Sequence, residues 1–153
     1  MYDLKSLVRP LFDRDVHSEM GLAVAYSIPA AVGFITALQG DSDLFDYLSG
    51  TAQSTWQDVY PHSLFSAALT GFTSKMIEKY APRLRKYGKL IGAAASLTFM
   101  VPVWESYEKT VDLPDGGDYA KDIISDVSGI LSYVGVSRLR EKLDGRLKGG
   151  QKV

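Results

Sequence analysis

The run Gly21–Leu38, GLAVAYSIPAAVGFITAL, decides how the rest of the chain is read, because it holds no charged side chain. About 18 uncharged residues is near the shortest helix that crosses a bilayer. Pro29 lies inside this run. It would kink a helix in water, whereas membrane helices accommodate such interruptions. Working outward, Leu90–Trp104 (LIGAAASLTFMVPVW) is also uncharged, and it reaches useful length if Lys89 extends its ammonium toward headgroups. Two weaker runs, His62–Met76 (HSLFSAALTGFTSKM) and Ile123–Leu139 (IISDVSGILSYVGVSRL), read equally as amphipathic helices of a soluble bundle. Hydropathy alone leaves the two settings open, and a mean hydropathy near zero hides the segregation.

Charge separates them. The first 20 residues carry Lys5, Arg9 and Arg14, whereas 41–61 has Asp41, Asp43, Asp46 and Asp58 and no Lys or Arg. The connection 74–90 carries Lys75, Lys79, Arg83, Arg85, Lys86 and Lys89 against Glu78 alone. Next, 105–121 holds Glu105, Glu108, Asp112, Asp115 and Asp118 with only Lys109 and Lys121 opposing, and the tail from Gly135 is basic again. Basic and acidic connections therefore alternate across four apolar runs. A multi-pass protein of the cytoplasmic membrane with both termini inside has this pattern. Trp56, Tyr60, Trp104, Tyr107 and Tyr119 fall at the outer boundary so defined, and Tyr80 and Tyr87 at the inner one, as interfacial aromatics do.

The expected fold is all-α: a four-helix polytopic membrane bundle forming one domain over 1–153. An N-terminal segment, 1–16, has Leu4, Leu7, Val8, Leu11 and Phe12 at helical spacing beside basic residues, like a helix lying on the inner leaflet. Leu44, Phe45, Leu48 and Trp56 suggest a short outer helix, and 144–153 reads as a flexible basic tail. The competing readings are a soluble helical module and an accessory subunit packed against larger membrane proteins or a second copy. Gly and Ala are dense in 23–33 and 90–97, which suits close helix contacts.

Composition excludes several function classes. With 17 Lys+Arg against 18 Asp+Glu, the net charge of -1 argues against nucleic-acid binding, which needs a basic excess. The sequence has no cysteine, so disulfides, thiolate metal sites and a cysteine-linked lipid anchor are excluded. Residues 1–16 have no clean apolar core followed by a small-residue cleavage site, so no removable signal peptide is expected, and there is no phosphate-cradling loop, H-E-x-x-H or nucleophile elbow. Asp115-Gly116-Gly117-Asp118 reads as a turn.

Four ionisable residues gain meaning from the topology. His62 opens the second run from outside, Glu105 closes the third, and Asp122 and Asp126 begin the fourth, so all lie near one membrane depth. Asp122, Asp126 and Gly129 share a helical face. Gly129 admits a neighbouring helix or a ligand close to that face. Ionisable groups within spans are costly and face the interior, where they pair or bind something. Imidazole plus carboxylates suits a divalent cation such as Mg, Mn, Ca or Zn, with His62, Glu105, Asp122 and Asp126 as ligands. The same residues suit catalysis: His62 as general acid or base, Glu105 as orienter, Asp122 and Asp126 as a carboxylate pair. The bland alternative is that His62 and Glu105 anchor helix ends in water while Asp122 favours a helix N-terminus. Asp126, one turn deeper, fits that alternative worst.

At these residues the chain resembles the VanZ-like membrane proteins and the related small YfiM-like envelope proteins. The shared pattern is an Asp, then His at the start of an apolar helix, here Asp58-Val59-Tyr60-Pro61-His62. It continues with a Glu ending a helix, here Glu105 in VPVWESYE, a loop, and D-x-x-x-(N or D)-x-x-G, here Asp122 to Gly129. The likeness covers about residues 58–136. The Gln that often follows the VanZ-like Glu and the YfiM-like cysteine are both missing. What the resemblance implies is an envelope role linked to lipoglycopeptide tolerance or cell-wall lipid intermediates. If catalytic, such a protein would be a hydrolase or transferase on a lipid-linked or phosphate-bearing substrate.

Overall fold

Each of the four apolar runs lies within a helical stretch of the computed structural model, which describes residues 12–40, 54–110 and 119–150. At 30, 31, 33–40, 54–60, 105, 108, 109, 119–121 and 147–150 only the backbone is described. Helix α1 spans Arg14–Gly40 and α2 spans Ser54–Tyr80. A 3-10 segment, Pro82–Tyr87, leads into α3, Gly88–Thr98. A π-helical stretch, Phe99–Trp104, runs on into α4, Glu105–Thr110, and α5 spans Tyr119–Gly150. The protein is all-α, with no strand among the described residues. The interfacial segments expected at 1–11 and 44–48 lie outside the described residues.

Local chemistry accounts for these limits. The Asp13 carboxylate accepts from the Asp15 backbone N–H at 3.0 Å, satisfying one of the orphan donors of the first turn of α1. Pro82 opens the 3-10 segment at a position where its missing N–H costs nothing. Pro102 sits in the π stretch, where a widened turn relieves the clash of its ring with the preceding turn. Helix α5 continues to Gly150, so the segment read as a flexible basic tail from 144 is helical that far. Its Arg, Lys, Glu and Leu are strong helix formers, and Arg140 and Asp144 pair one turn apart at 3.9 Å.

Helix α2 is central: it packs against α1, α3 and α5, and α1 also touches α5. Helices α1 and α3 run opposite to α2, whereas α5 runs in the same direction as α2, because the start of α1, the end of α2, the start of α3 and the later part of α5 meet at one end. There Lys79 bonds Asp13 at 2.9 Å and Asp15 at 2.7 Å, Lys89 pairs with Glu141 at 2.5 Å, and the Tyr80 hydroxyl donates to Asp13. The Lys79 ammonium, and after it the Tyr80 hydroxyl, hold the Asp13 carboxyl well below the usual carboxylate range. Asp13 and then Asp15 raise Lys79 above its ordinary range.

The interior is rich in small and polar side chains, with Val16, Met100 and Ile130 as its apolar members of larger size. Buried among the described residues are Ser27, Ser63, Ser66, Thr70, Ser74, Ser96, Ser125 and Ser137 with Ala23 and Ala67, and the largest is Tyr133. Most of these hydroxyls bond within or across helices: Thr70 donates to the Ser66 carbonyl at 2.7 Å, and Ser96 reaches the same oxygen from α3 at 3.0 Å, whereas Ser74 Oγ has no partner among the described residues. At Gly92, a Cβ would lie 2.6 Å from the Thr70 carbonyl oxygen, so only glycine lets α3 come this near α2. Large apolar side chains point outward instead, among them Phe65, Leu90, Val103, Leu131 and Leu139. No helix among the described residues is long and apolar enough to cross a membrane; eight residues in the second half of Gly21–Leu38, and its neighbours 39 and 40, are among those described by backbone only.

Candidate functional site

At the end of the bundle remote from the basic cluster, α2 and α5 meet back to back. Gly129 explains how: a Cβ there would lie 2.8 Å from the carbonyl carbon of Ser63 and closer still to its oxygen. Glycine removes that obstacle and lets two backbones touch. The residues one turn before it on α5 are thereby pressed onto the start of α2. Ser63 and Ser128 hydroxyls lie 3.3 Å apart beside this contact.

The close approach seats the His62 ring between two carboxylates. His62 Nδ1 is 3.4 Å from Asp126 Oδ1, and Nε2 is 3.9 Å from Asp122 Oδ1. All three side chains are buried, Asp126 completely. Ser66, one turn after His62 on the same face of α2, donates to Asp126 Oδ1 at 2.5 Å. A charge-assisted bond of this kind is among the stronger neutral-to-ion contacts. Among the described residues nothing donates to the other oxygen, Asp126 Oδ2, which is also buried.

Three of the four residues singled out from the sequence are therefore brought together. Glu105 begins α4, just beyond the π stretch, and its side chain lies outside the described set. Asp58 likewise has only its backbone described. The helical spacing of Asp122, Asp126 and Gly129 does place them on one buried face, and it is a neighbouring helix that Gly129 admits. Sequence reasoning missed Ser66. The available signal was its i+4 spacing from His62 in a run where hydroxyls recur at 63, 66, 70 and 74.

Two carboxylates this near each other repel unless a proton or a cation lies between them. The imidazole, once protonated, supplies that charge to both. As an acid–base group it has one nitrogen toward each carboxylate, so a proton taken up on one side is balanced by a negative charge on the other. Among the described residues no set of three or more His, Asp or Glu is arranged to hold a metal ion. The two ring nitrogens face different carboxylates. Beside the site Phe65 stacks on Trp104, and Trp104 meets Tyr107, with ring centroids 6.1 and 5.7 Å apart.

Comparison with protein-family descriptions, curated proteins and solved structures finds no match to this chain.

Proposed function

We propose that the chain is a small polytopic membrane protein whose buried His62, Asp122 and Asp126 form an acid–base site near the outer surface, acting on a polar headgroup. The observation that carries this reading is the imidazole held between two carboxylates in a water-poor interior. Such an arrangement is costly and is kept where it binds or moves charge. The membrane setting is supported by the arrangement of side chains, with hydroxyls and glycines prominent inside and many Leu, Val and Phe outside, although Val16, Met100 and Ile130 are buried. Water drives the opposite arrangement, whereas lipid rewards close contact between small residues. The alternating charges of the connections agree with it.

Charge narrows the ligand. Two carboxylates and one imidazole repel a bare phosphate, so a hydroxyl- or amine-bearing headgroup fits better than the phosphate-bearing substrate that the family resemblance implies. An envelope role, as in the VanZ-like proteins, accords with this. A divalent cation held with Glu105 is the second reading, favoured by the buried Asp126 Oδ2. Melting the purified protein with Mg, Mn, Ca or Zn and with a chelator separates the two. Cation-dependent stabilisation that His62→Ala and Asp126→Ala abolish supports the metal, and unchanged curves eliminate it.

The membrane reading has its own test. Single cysteines at Ser42 and Arg85 in this cysteine-free chain should react with an impermeant thiol reagent from outside at the first position only. Release of the protein from membranes by alkaline carbonate would sink the reading. Intolerance of bulk at Gly92 would not by itself indicate an accessory-subunit role, because that glycine is buried against Ser74 and Thr70 of the same chain and substitution there reports folding.

A further inference from the structure

The opposite end of the bundle carries a second site. Where the 3-10 segment turns between α2 and α3, it forms a cleft of about 610 Å³ with the later part of α5. Five cations line it: Arg83, Arg85, Lys86, Lys89 and Arg138. Only two carboxylates, Glu78 and Glu141, share the lining. Glu141 is committed to Lys89 at 2.5 Å, and Glu78 lies 3.9 Å from Lys75. Among the described residues Arg83, Arg85 and Arg138 have no carboxylate within ion-pair distance. Three guanidinium groups thus face one cleft with their charge uncompensated. Guanidinium is the side chain that matches phosphate oxygens by paired N–H donors.

Leu90 lines the cleft, and further exposed apolar side chains adjoin its lining residues along the 3-10 segment and α5. Leu84, Tyr87, Leu90, Leu139 and Leu143 are all substantially exposed, with Leu90 at 66%. Lys86 lies over the Tyr87 ring at 4.7 Å. A soluble phosphate compound gains nothing from exposed leucines around its site. A phospholipid does, because its phosphate meets the arginines while its glycerol and upper acyl chains cover the apolar rim. We infer that this cleft is a binding site for the headgroup of an anionic phospholipid in the leaflet at the basic end of the bundle. It is separate from the His62 site in place and in charge, and it requires contact with a lipid surface rather than any action at His62.

The test uses the purified full chain in neutral detergent, titrated with dihexanoyl-phosphatidylglycerol, dihexanoyl-phosphatidylcholine or inorganic phosphate and followed by melting temperature. Phosphatidylglycerol should raise the melting temperature saturably, at concentrations at least about tenfold below those at which phosphatidylcholine acts. Each guanidinium contributes roughly fivefold, so Arg83→Gln/Arg85→Gln/Arg138→Gln should weaken the response about a hundredfold. Should that variant not fold, Arg138→Gln alone should weaken it about fivefold. His62→Gln should leave it intact, which keeps failure at one site distinguishable from failure at the other. Equal responses to both lipids, or an unweakened response in the arginine variants, overturn the inference. A full response to inorganic phosphate alone overturns the lipid as ligand.

Discussion

Gly129→Ala is the most demanding perturbation of the contact that builds the His62 site. An added Cβ would lie 2.8 Å from the Ser63 carbonyl carbon and 3.0 Å from its Cα, where ordinary carbon contacts begin near about 3.5 Å. The obstacle is backbone, so no side chain can rotate away, and α2 and α5 must separate by at least roughly 0.7 Å. Overpacking costs about 1–3 kcal/mol, and a backbone-to-backbone collision belongs at the upper end. Alanine's better helix propensity returns about 1 kcal/mol, leaving a net loss near 2 kcal/mol. For a chain of this size that lowers the melting temperature by roughly 4–8 °C. Gly135→Ala is the matched control on the same helix, because nothing lies within 4 Å of its added Cβ. It should be neutral or raise the melting temperature by about 2–4 °C. Thermal melting of both variants in one detergent decides the matter. If Gly129→Ala melts with Gly135→Ala, the two backbones do not touch and the site is not held as described.

Two further outcomes are expected. Ser66→Ala removes the described donor to Asp126 and should cost about 1.5–3 kcal/mol, visible as a lower melting temperature that Ser66→Thr partly restores. Lys79→Met should destabilise the junction of α1 and α2 in a pH-dependent way, measured as the difference in melting temperature from the parent. Asp13 is depressed, so its contribution is present above the ordinary carboxylate range and lost as pH falls through it. Lys79 is raised, so its contribution is present below the ordinary lysine range and lost as pH rises beyond it. The difference should be flat between about pH 4 and pH 10 and shrink outside, and a difference that peaks at either extreme would contradict the pairing.

Much of the helical architecture was legible in Gly21–Leu38, Leu90–Trp104 and the two weaker runs, because apolar stretches with little or no charge, bounded by charge, mark helix bodies in water and in lipid alike. The spacing of Asp122, Asp126 and Gly129 placed them on one face before any neighbour was known. What faced them was not legible in the same way. That α2 lies against α5 with Ser63 opposite Gly129 depends on contacts more than 60 residues apart, which no local period encodes. Ser66 was passed over because a hydroxyl in an apolar helix bonds its own backbone as readily as a partner. The π stretch around Pro102 was invisible since proline signals a break without specifying its form. Helix α5 outran its expected end because strong helix formers continue a helix without apolar support.

The site has one consequence for how the protein comes into being. His62 is translated well before the last helix, and both of the acids that flank it are on that helix. While the ribosome is still making α3, α2 carries a buried-type imidazole and a row of hydroxyls with no counterpart on α5. A chain that stops short of Asp122 therefore lacks more than one rod: it leaves a polar stripe open along the central helix. Such a stripe is a physical mark of incompleteness that a protease or chaperone can read, and it vanishes once the final helix docks.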